Sequence, residues 1–554
     1  MVKPTPQSSI WAGLKTEDPG GSDIKRWLHW HPAELDQCIA ARGGRLPAPL
    51  GESERAELQT AHERWGAGPG SVEAIERLGG PATRVVVTGQ QPGLLGGPLY
   101  ALYKALGTIK LARELSGRYP DLSFVPVFWV ASEDHDFDEV RRAYWTAPSG
   151  GLEQYLLHLN DQPGQMVGPY PMGPRVDGLI ERIEETSFKT EFLEDVLKLV
   201  RAAYSADAGL EDGFCRILLR LVRDTGLVII SPLMDWVRRR AAAILEREFS
   251  DLGRSTERII ERGAEMRSGG VEPTLHRPPG TINSFWVDPD GRRFSLRLVE
   301  GKVEVRPIGG TAEISGTRRL LDADDPRKNL DERPGAFSLN VVTRPLVQDA
   351  ILPTVAQVIG PGESDYLAQV EAVYDSFDVF APVRYPRPQV TLIEPRVDRN
   401  LRKYRIAIEE ALSVDAVDLI GLAQRRGPRE GETQEIERLR GRQVEELRVL
   451  KEKLAGADPS IEGAFNKLVH AMDKGYATIT ERFLYQRQLD DEHLKRAITL
   501  VAESLCPTAQ PQERRLNPIV PFAVHYGLDW PMRLMGNLIV DYREPMQLVY
   551  MNRL

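Results

Sequence analysis

The segment Arg84-Val85-Val86-Val87-Thr88-Gly89-Gln90-Gln91-Pro92-Gly93-Leu94-Leu95-Gly96-Gly97-Pro98-Leu99 decides the fold. Residues 84–88 are too few for a helix and apolar on both faces, which suits a strand buried in a parallel sheet. A glycine-rich loop, Gly89 to Gly97, follows. Pro98 stands where a helix has its first position. Leu99, Leu102, Tyr103, Leu106 and Ile109 then recur at helical spacing.

Further along, Phe124-Val125-Pro126-Val127-Phe128-Trp129-Val130 reads as a second strand, although Pro126 weakens it. Leu227 to Ser231 reads as a third and Val355 to Ile359 as a fourth, the last followed by Gly360-Pro361-Gly362-Glu363. Strands alternating with helical stretches predict an α/β fold, a Rossmann-like and mostly parallel sheet with right-handed crossovers. Segments 145–225 and 255–335 are too long for simple crossovers and read as insertions. The second contains a hairpin pattern, Ser284 to Val287 and Phe294 to Arg297 around Asp288-Pro289-Asp290-Gly291. Residues 1–80 read as helical with Gly and Pro breaks, and Trp27, His29, Trp30 and His31 as a packed aromatic edge.

From about residue 396 the texture changes. Ile436, Leu439, Leu447, Leu450 and Leu454, and then Ile461, Phe465, Leu468, Met472, Tyr476, Ile479 and Phe483, mostly step by three or four. Between them lies Ala455-Gly456-Ala457-Asp458-Pro459, with Asp458 as N-cap and Pro459 at the first helical position. Two long antiparallel helices of coiled-coil type follow from this pattern. The expected organisation is a core over 1–395, a helical domain over 396–500, and a segment over 501–554 that packs back on both.

Composition narrows the function. The 554 residues predict two to four domains at about 100–200 residues each. No apolar run approaches the roughly 18 residues of a membrane-spanning helix. Met1-Val2-Lys3-Pro4-Thr5-Pro6 leads into no apolar stretch, so no secretory signal is expected. A net charge of -9 argues against nucleic acid as the main partner. Cys38, Cys215 and Cys506 form no metal-spaced motif, the nine His are scattered, and the expectation is a cytoplasmic protein without a dedicated metal site.

Five segments could carry chemistry. Thr88, Gly89, Gln90, Gln91 and Gly93 form either a loop that admits a phosphate or carboxylate to backbone amides or a tight turn between strand and helix. Glu133-Asp134-His135-Asp136 stands at the carboxyl end of the second strand. It reads as a site for an ammonium, a hydroxyl or a cation, with His135 as proton shuttle, or as an acidic cap in which Asp136 or Asp138 starts a helix. Arg344 and Gln348 lie one helical turn apart, and Arg344 either holds a carboxylate or phosphate or is a surface residue. Gly360, Gly362 and Glu363 open another helix, where Glu363 bonds ribose or sugar hydroxyls or caps the first turn. Gln512 to Asn517, with Arg514, is rich in hydrogen-bonding groups and alone reads as a solvated loop.

Taken together, these segments resemble a known family. Val87 to Gly93 with Gly97-Pro98-Leu99-Tyr100 and Tyr103-Lys104-Ala105, Pro126 to Phe137, Asn340 to Gln348, Leu352-Pro353-Thr354 and Gly360 to Glu363 are similar to signatures of the BshC-type cysteine ligases of bacillithiol biosynthesis. The Gln512-Glu513-Arg514 stretch and Tyr526-Gly527 are similar to that family's C-terminal segment, and the likeness covers nearly the whole chain. The resemblance implies a Rossmann-like core, a coiled coil, a homodimer, and addition of cysteine to the glucosamine amine of glucosaminyl malate. In outline the core also resembles class I aminoacyl-tRNA synthetases. Their His-x-Gly-His motif is absent, and Gln90-Gln91 occupy that loop, which argues against an adenylate step using those groups.

Amide formation in water needs an activated carboxylate, so ATP or another nucleotide is expected, through an acyl-adenylate or an acyl-phosphate. The glycine loop and the helix from Pro98 are expected to hold an anionic group. Glu133, Asp134, His135 and Asp136 are expected to orient cysteine's ammonium or the sugar hydroxyls, with His135 as base and Arg344 offsetting negative charge. The nucleotide alternatively sits near Arg514 and Asn517. No cysteine lies in a signature segment, so no covalent thiol step is expected. Two rival readings stay open: a nucleotide- or thiol-sensing scaffold, and an amide ligase for another amino acid.

Overall fold

The computed structural model describes residues 9–16, 23–205, 208–308, 319–322, 325–426, 432–455 and 461–553. They fall into two units. One comprises Ile393–Gln510 with Ser149–Gly151; the other comprises Pro4–Pro148, Leu152–Leu392 and Pro511–Leu554.

The larger unit is built on five strands: β1 (Thr83–Gln90), β2 (Ser123–Val130), β3 (Val228–Ile230), β4 (Thr354–Ile359) and β5 (Val383–Pro386). Their order is β5-β4-β1-β2-β3 and every neighbouring pair is parallel. Val85, Val86 and Val87 are wholly buried, as a strand covered on both faces requires. Pro126 is tolerated in β2 one residue before Val127, where pairing with β3 starts. Gly89 is required at its place, because a Cβ there would lie 2.8 Å from the Trp129 carbonyl oxygen.

The helix after the glycine loop is α1 (Leu99–Arg118), which places Pro98 at the N-cap, one residue earlier than the sequence pattern suggests. A single turn, α2 (Phe137–Val140), follows β2. The helices α3 (Thr343–Ile351) and α4 (Pro361–Val370) flank β4. The chain runs β1, β2, β3 toward one edge and then returns to place β4 on the other side of β1. The switch point therefore lies between β1 and β4, where open α/β sheets bind ligands.

The sequence reading missed β5. Its centre is Arg384, a charged residue in a four-residue segment that ends in Pro386. Arg384 is nevertheless fully buried. Its Nε donates to Glu371 at 2.9 Å, one Nη to the Tyr374 hydroxyl at 2.7 Å and the other to Gln357. Tyr374 in turn donates to Asp349 at 2.7 Å. Glu371 also accepts from the backbone N–H of His29 at 2.8 Å, so one member of the aromatic edge joins this network.

The expected hairpin is present, Thr281–Val287 pairing antiparallel with Arg293–Val299. It belongs to a five-stranded sheet that also includes Phe337–Leu339, Lys302–Pro307 and Arg319–Asp322. In the smaller unit, α5 (Glu432–Ala455) and α6 (Ile461–Leu505) run antiparallel. Arg440 pairs with Asp473 at 2.9 Å and Lys451 with Glu462 at 2.9 Å, so partners advance on one helix as they recede on the other. The expected cap at Asp458 and Pro459 lies outside the described residues. The elements that follow in the larger unit begin with a single turn, α7 (Gln512–Arg515).

Replacing Arg384 by Met leaves the Glu371 and Asp349 carboxylates without their cation. Arg384→Met is expected to lower unfolding stability by about 3–5 kcal/mol, read by urea unfolding followed through tryptophan fluorescence. Unchanged stability would show that the network contributes nothing net.

Candidate functional site

A cavity of about 350 Å³ opens at the carboxyl ends of β1, β2 and β4. From β1 and its loop come Gly89, Gln90 and Gln91; from the start of α4 come Gly360, Gly362 and Glu363. Arg344 reaches it from α3 and Arg514 from α7. These eight residues, taken from four of the five segments singled out in the sequence, therefore share one wall.

The first helix does not offer its N-terminus there. The Leu99 N–H is taken by the Leu516 carbonyl at 2.8 Å, and α1 presents Tyr100 and Lys104 instead. The N-terminus that faces the cavity is that of α4. Glu363 accepts the Gly360 N–H at 2.8 Å, so the capping reading describes its backbone contact. The same carboxylate also pairs with Lys104 at 2.5 Å.

Lys104 is almost completely buried. Its ammonium donates to the Gly89 carbonyl at 2.9 Å and to Gln90 Oε1 at 3.1 Å. Burial lowers its proton affinity, and Glu363 opposes that effect. With Oε1 engaged by Lys104, the Gln90 amide turns Nε2 toward the Tyr100 hydroxyl at 3.2 Å. Tyr100 in turn lies 3.4 Å from Glu139 Oε1.

Arg387 enters the wall from the residue after β5 and forms a two-pronged pair with Glu513 of α7, at 2.7 and 2.6 Å. Burial alone would lower its proton affinity, but Glu513 outweighs it and the net direction is upward. Arg344 bonds the Gln348 side chain at 3.4 Å and the Tyr366 hydroxyl at 3.3 Å. Burial pushes that phenol up to about 12. Among the described residues neither Arg344 nor Arg514 has a carboxylate partner. Among the described residues the Trp129 indole, fully buried in this wall, has no partner for Nε1, and Gln91 Oε1 has none either.

The acidic segment after β2 divides. Glu139, beyond the quoted tetrad, lines the cavity. Glu133, Asp134, His135 and Asp136 do not. Glu133 is buried and accepts the Leu339 N–H at 3.0 Å. Burial raises its carboxyl to about 7, against the pull of Arg293. His135 Nδ1 lies 3.2 Å from an Arg293 Nη, and burial together with that guanidinium lowers its proton affinity. Leu339 and Arg293 belong to the inserted sheet, so Glu133 and His135 fasten that sheet to the core. Asp134 accepts from Gln91 Nε2 and from the His135 N–H. Asp136 caps α2 through the N–H groups of Asp138 and Glu139, at 3.0 and 3.3 Å.

Three other predicted residues also lie off the cavity. Thr88 is buried and donates to the Val358 carbonyl at 2.8 Å. Gly93 closes the loop, its N–H on the Gln91 carbonyl at 2.9 Å. Asn517 accepts the N–H groups of Ile519 and Val520, both at 2.9 Å, and donates to the Tyr144 carbonyl. Sequence reading did not assign Tyr100, Lys104, Trp129, Glu139, Tyr366 and Arg387 to the site. A signal existed for the first two: polar residues four apart on one helix immediately after a glycine loop.

A parallel sheet with its cavity at the switch point, followed by a coiled-coil unit, defines a Rossmann-like protein with an appended helical domain. Two family models match the chain. Residues 52–388 match the N-terminal Rossmann-like domain of bacillithiol biosynthesis BshC, and residues 390–545 match its C-terminal coiled-coil domain. The chain belongs to the BshC family. Similar relatives carry the name "Putative cysteine ligase BshC". One from Desulforamulus reducens is 29% identical over 511 residues, 91% of each chain. One from Symbiobacterium thermophilum is 31% identical over 517 residues, 88% of each chain. One from Salinibacter ruber is 32% identical over 394 residues, 70% of each chain.

The Glu133 carboxyl gives a test of this arrangement. Its folded value of about 7 lies above the ordinary 4.5, so folding takes up a proton between these values. Stability is therefore lost as pH rises through that window, by up to about 3 kcal/mol. Glu133→Gln keeps an acceptor for Leu339 and removes the titration. Urea unfolding is expected to show the variant gaining on the wild type between pH 5 and pH 8, and parallel curves would contradict the assignment.

Proposed function

We propose that this chain is an amide-forming ligase that joins the carboxyl group of L-cysteine to the glucosamine amine of glucosaminyl malate. Family membership supports the reading. The observation that carries it is the charge pattern of the switch-point cavity. Among the described residues Arg344 and Arg514 lack carboxylate partners, the α4 N-terminus faces the same space, and Glu139 adds a carboxylate beside them. One cavity can thus take an anionic group and an amine together.

The residues also fit a nucleotide. Arg344, Arg514 and the Gly362 amide would hold phosphate oxygens. A bound nucleoside triphosphate supplies activation of the cysteine carboxylate. This chain's own groups then bind and orient. Lys104 holds the Gly89 carbonyl, the Gln90 amide and Glu363 in one arrangement, so the walls at β1 and α4 keep a fixed separation. Arg344 is steadied by Tyr366 and Gln348 while its charge offsets negative charge on the reacting carboxyl group.

The three thiols take no part in this scheme. Cys38, Cys215 and Cys506 are buried, none lines the cavity, and burial raises the proton affinity of each. We place the protein in the cytoplasm as a homodimer. Exposed Leu439, Leu450, Leu468 and Ile479 on the long helices support self-association.

The purified chain is expected to form the cysteinyl amide from cysteine, glucosaminyl malate and ATP, read by mass spectrometry. Arg344→Ala is expected to lower kcat/KM by about 10- to 100-fold, the loss of one charge-assisted contact. Absence of product with ATP, GTP and CTP alike would sink the ligase reading.

A further inference from the structure

Glu139 stands in the cavity wall, in the turn that Asp136 caps, and the ligase reading so far uses it only as a negative charge beside the arginines. It projects from the β2 side of the switch point, as Gln91 does from the loop after β1. The Gln91 amide is oriented, because its Nε2 donates to Asp134 and also faces the Glu139 carboxylate. Its Oε1 is buried and has no hydrogen-bond partner among the described residues. A carboxylate and a neighbouring unpartnered carbonyl oxygen form an acceptor pair. The ligand that completes such a pair is a donor with several N–H groups and a positive charge. Arg344 and the α4 N-terminus stand on the β4 side, so an anionic group and an amine would be received from different strands.

We propose that Glu139 and Gln91 form the seat of the nucleophilic amine, with Glu139 taking its proton. This inference rests on the ligase reading. The ammonium donates to a Glu139 oxygen and to Gln91 Oε1. One N–H bond then breaks, the proton passes to the Glu139 carboxylate, and the electron pair stays on nitrogen, free to attack. Charge balances, an ammonium and a carboxylate giving an amine and a carboxylic acid. The groups that face Glu139 act in both directions. Asp136 and Asp134 from the turn after β2 disfavour its negative charge and so favour the transfer, while the hydrogen bonds from Tyr100 of α1 and from Gln91 oppose it in part. Partial burial and these two carboxylates raise its proton affinity, and its exposed flank lets the proton pass on to water.

The test compares glucosaminyl malate with its N-acetyl derivative, which has no titratable amine. Isothermal titration calorimetry on the full chain, without nucleotide or cysteine, is expected to show Glu139→Gln binding the free amine at least about 10-fold more weakly, with N-acetyl binding unchanged. Gln91→Leu should show a smaller loss in the same direction, and both variants should keep the wild-type thermal midpoint. In turnover with ATP and cysteine, kcat of Glu139→Gln should fall about 100-fold, with partial recovery in Glu139→Asp. Equal losses for both sugars, or Glu139→Gln turnover within about threefold of wild type, would overturn the assignment. The expected affinity split without any wild-type turnover would uphold the seat and remove the ligase reading.

Discussion

A buried ammonium must be solvated by the protein or not exist as a charge, and Lys104 meets that demand in a way that sets the site. Its three donors go to the Gly89 carbonyl, the Gln90 amide and the Glu363 carboxylate. Those acceptors sit at the end of β1 and in the first turn of α4, the two banks of the switch point. Removing a charge from water is costly unless every partner is in place. The two banks are therefore held at the separation that satisfies Lys104, and the cavity between them inherits that spacing. The orientation of Gln90, and through it the position of Tyr100, follows from the same contact.

Around this fixed centre, charge is distributed unevenly. Arg387 has its own carboxylate, Glu513. Arg344 and Arg514 remain available to a ligand, while Gln348 connects Arg344 to a deeper network. Its Nε2 donates to Asp349 at 3.0 Å, Asp349 accepts from Tyr374, and Tyr374 from Arg384. The chain continues through Glu371 to His29, whose Nδ1 lies 2.7 Å away at the half-exposed surface. A continuous series of polar contacts thus runs from Arg344 in the cavity wall to His29.

Much of this fold was legible because strand periodicity and glycine loops are local signals. Four of five core strands, the hairpin and the paired long helices could be read from spacing alone. The fifth strand could not, since Arg384 reads as solvent-facing unless Glu371 and Asp349 are known to surround it. The same distinction explains the site. The glycine loops, Arg344 and Arg514 were legible as polar groups at strand or helix ends. Which way the segment after β2 points was not, because Glu133 and His135 turn to Leu339 and Arg293, residues that lie far along the chain. Glu139 reaches the cavity because the α2 turn capped by Asp136 rotates it there. Lys104 went unassigned because helical spacing drew attention to the apolar face of α1.

The pairing of Arg387 with Glu513 spans 126 residues of sequence. At about 5–20 residues per second, a ribosome needs roughly 6–25 s to add that stretch. Throughout this interval the nascent core carries Arg387 without its counter-charge, and Arg514 has not yet been made. The pocket is thus completed only after the helical region has been made, and a chain that stalls in that region emerges with its sheet laid down and its binding site unfinished.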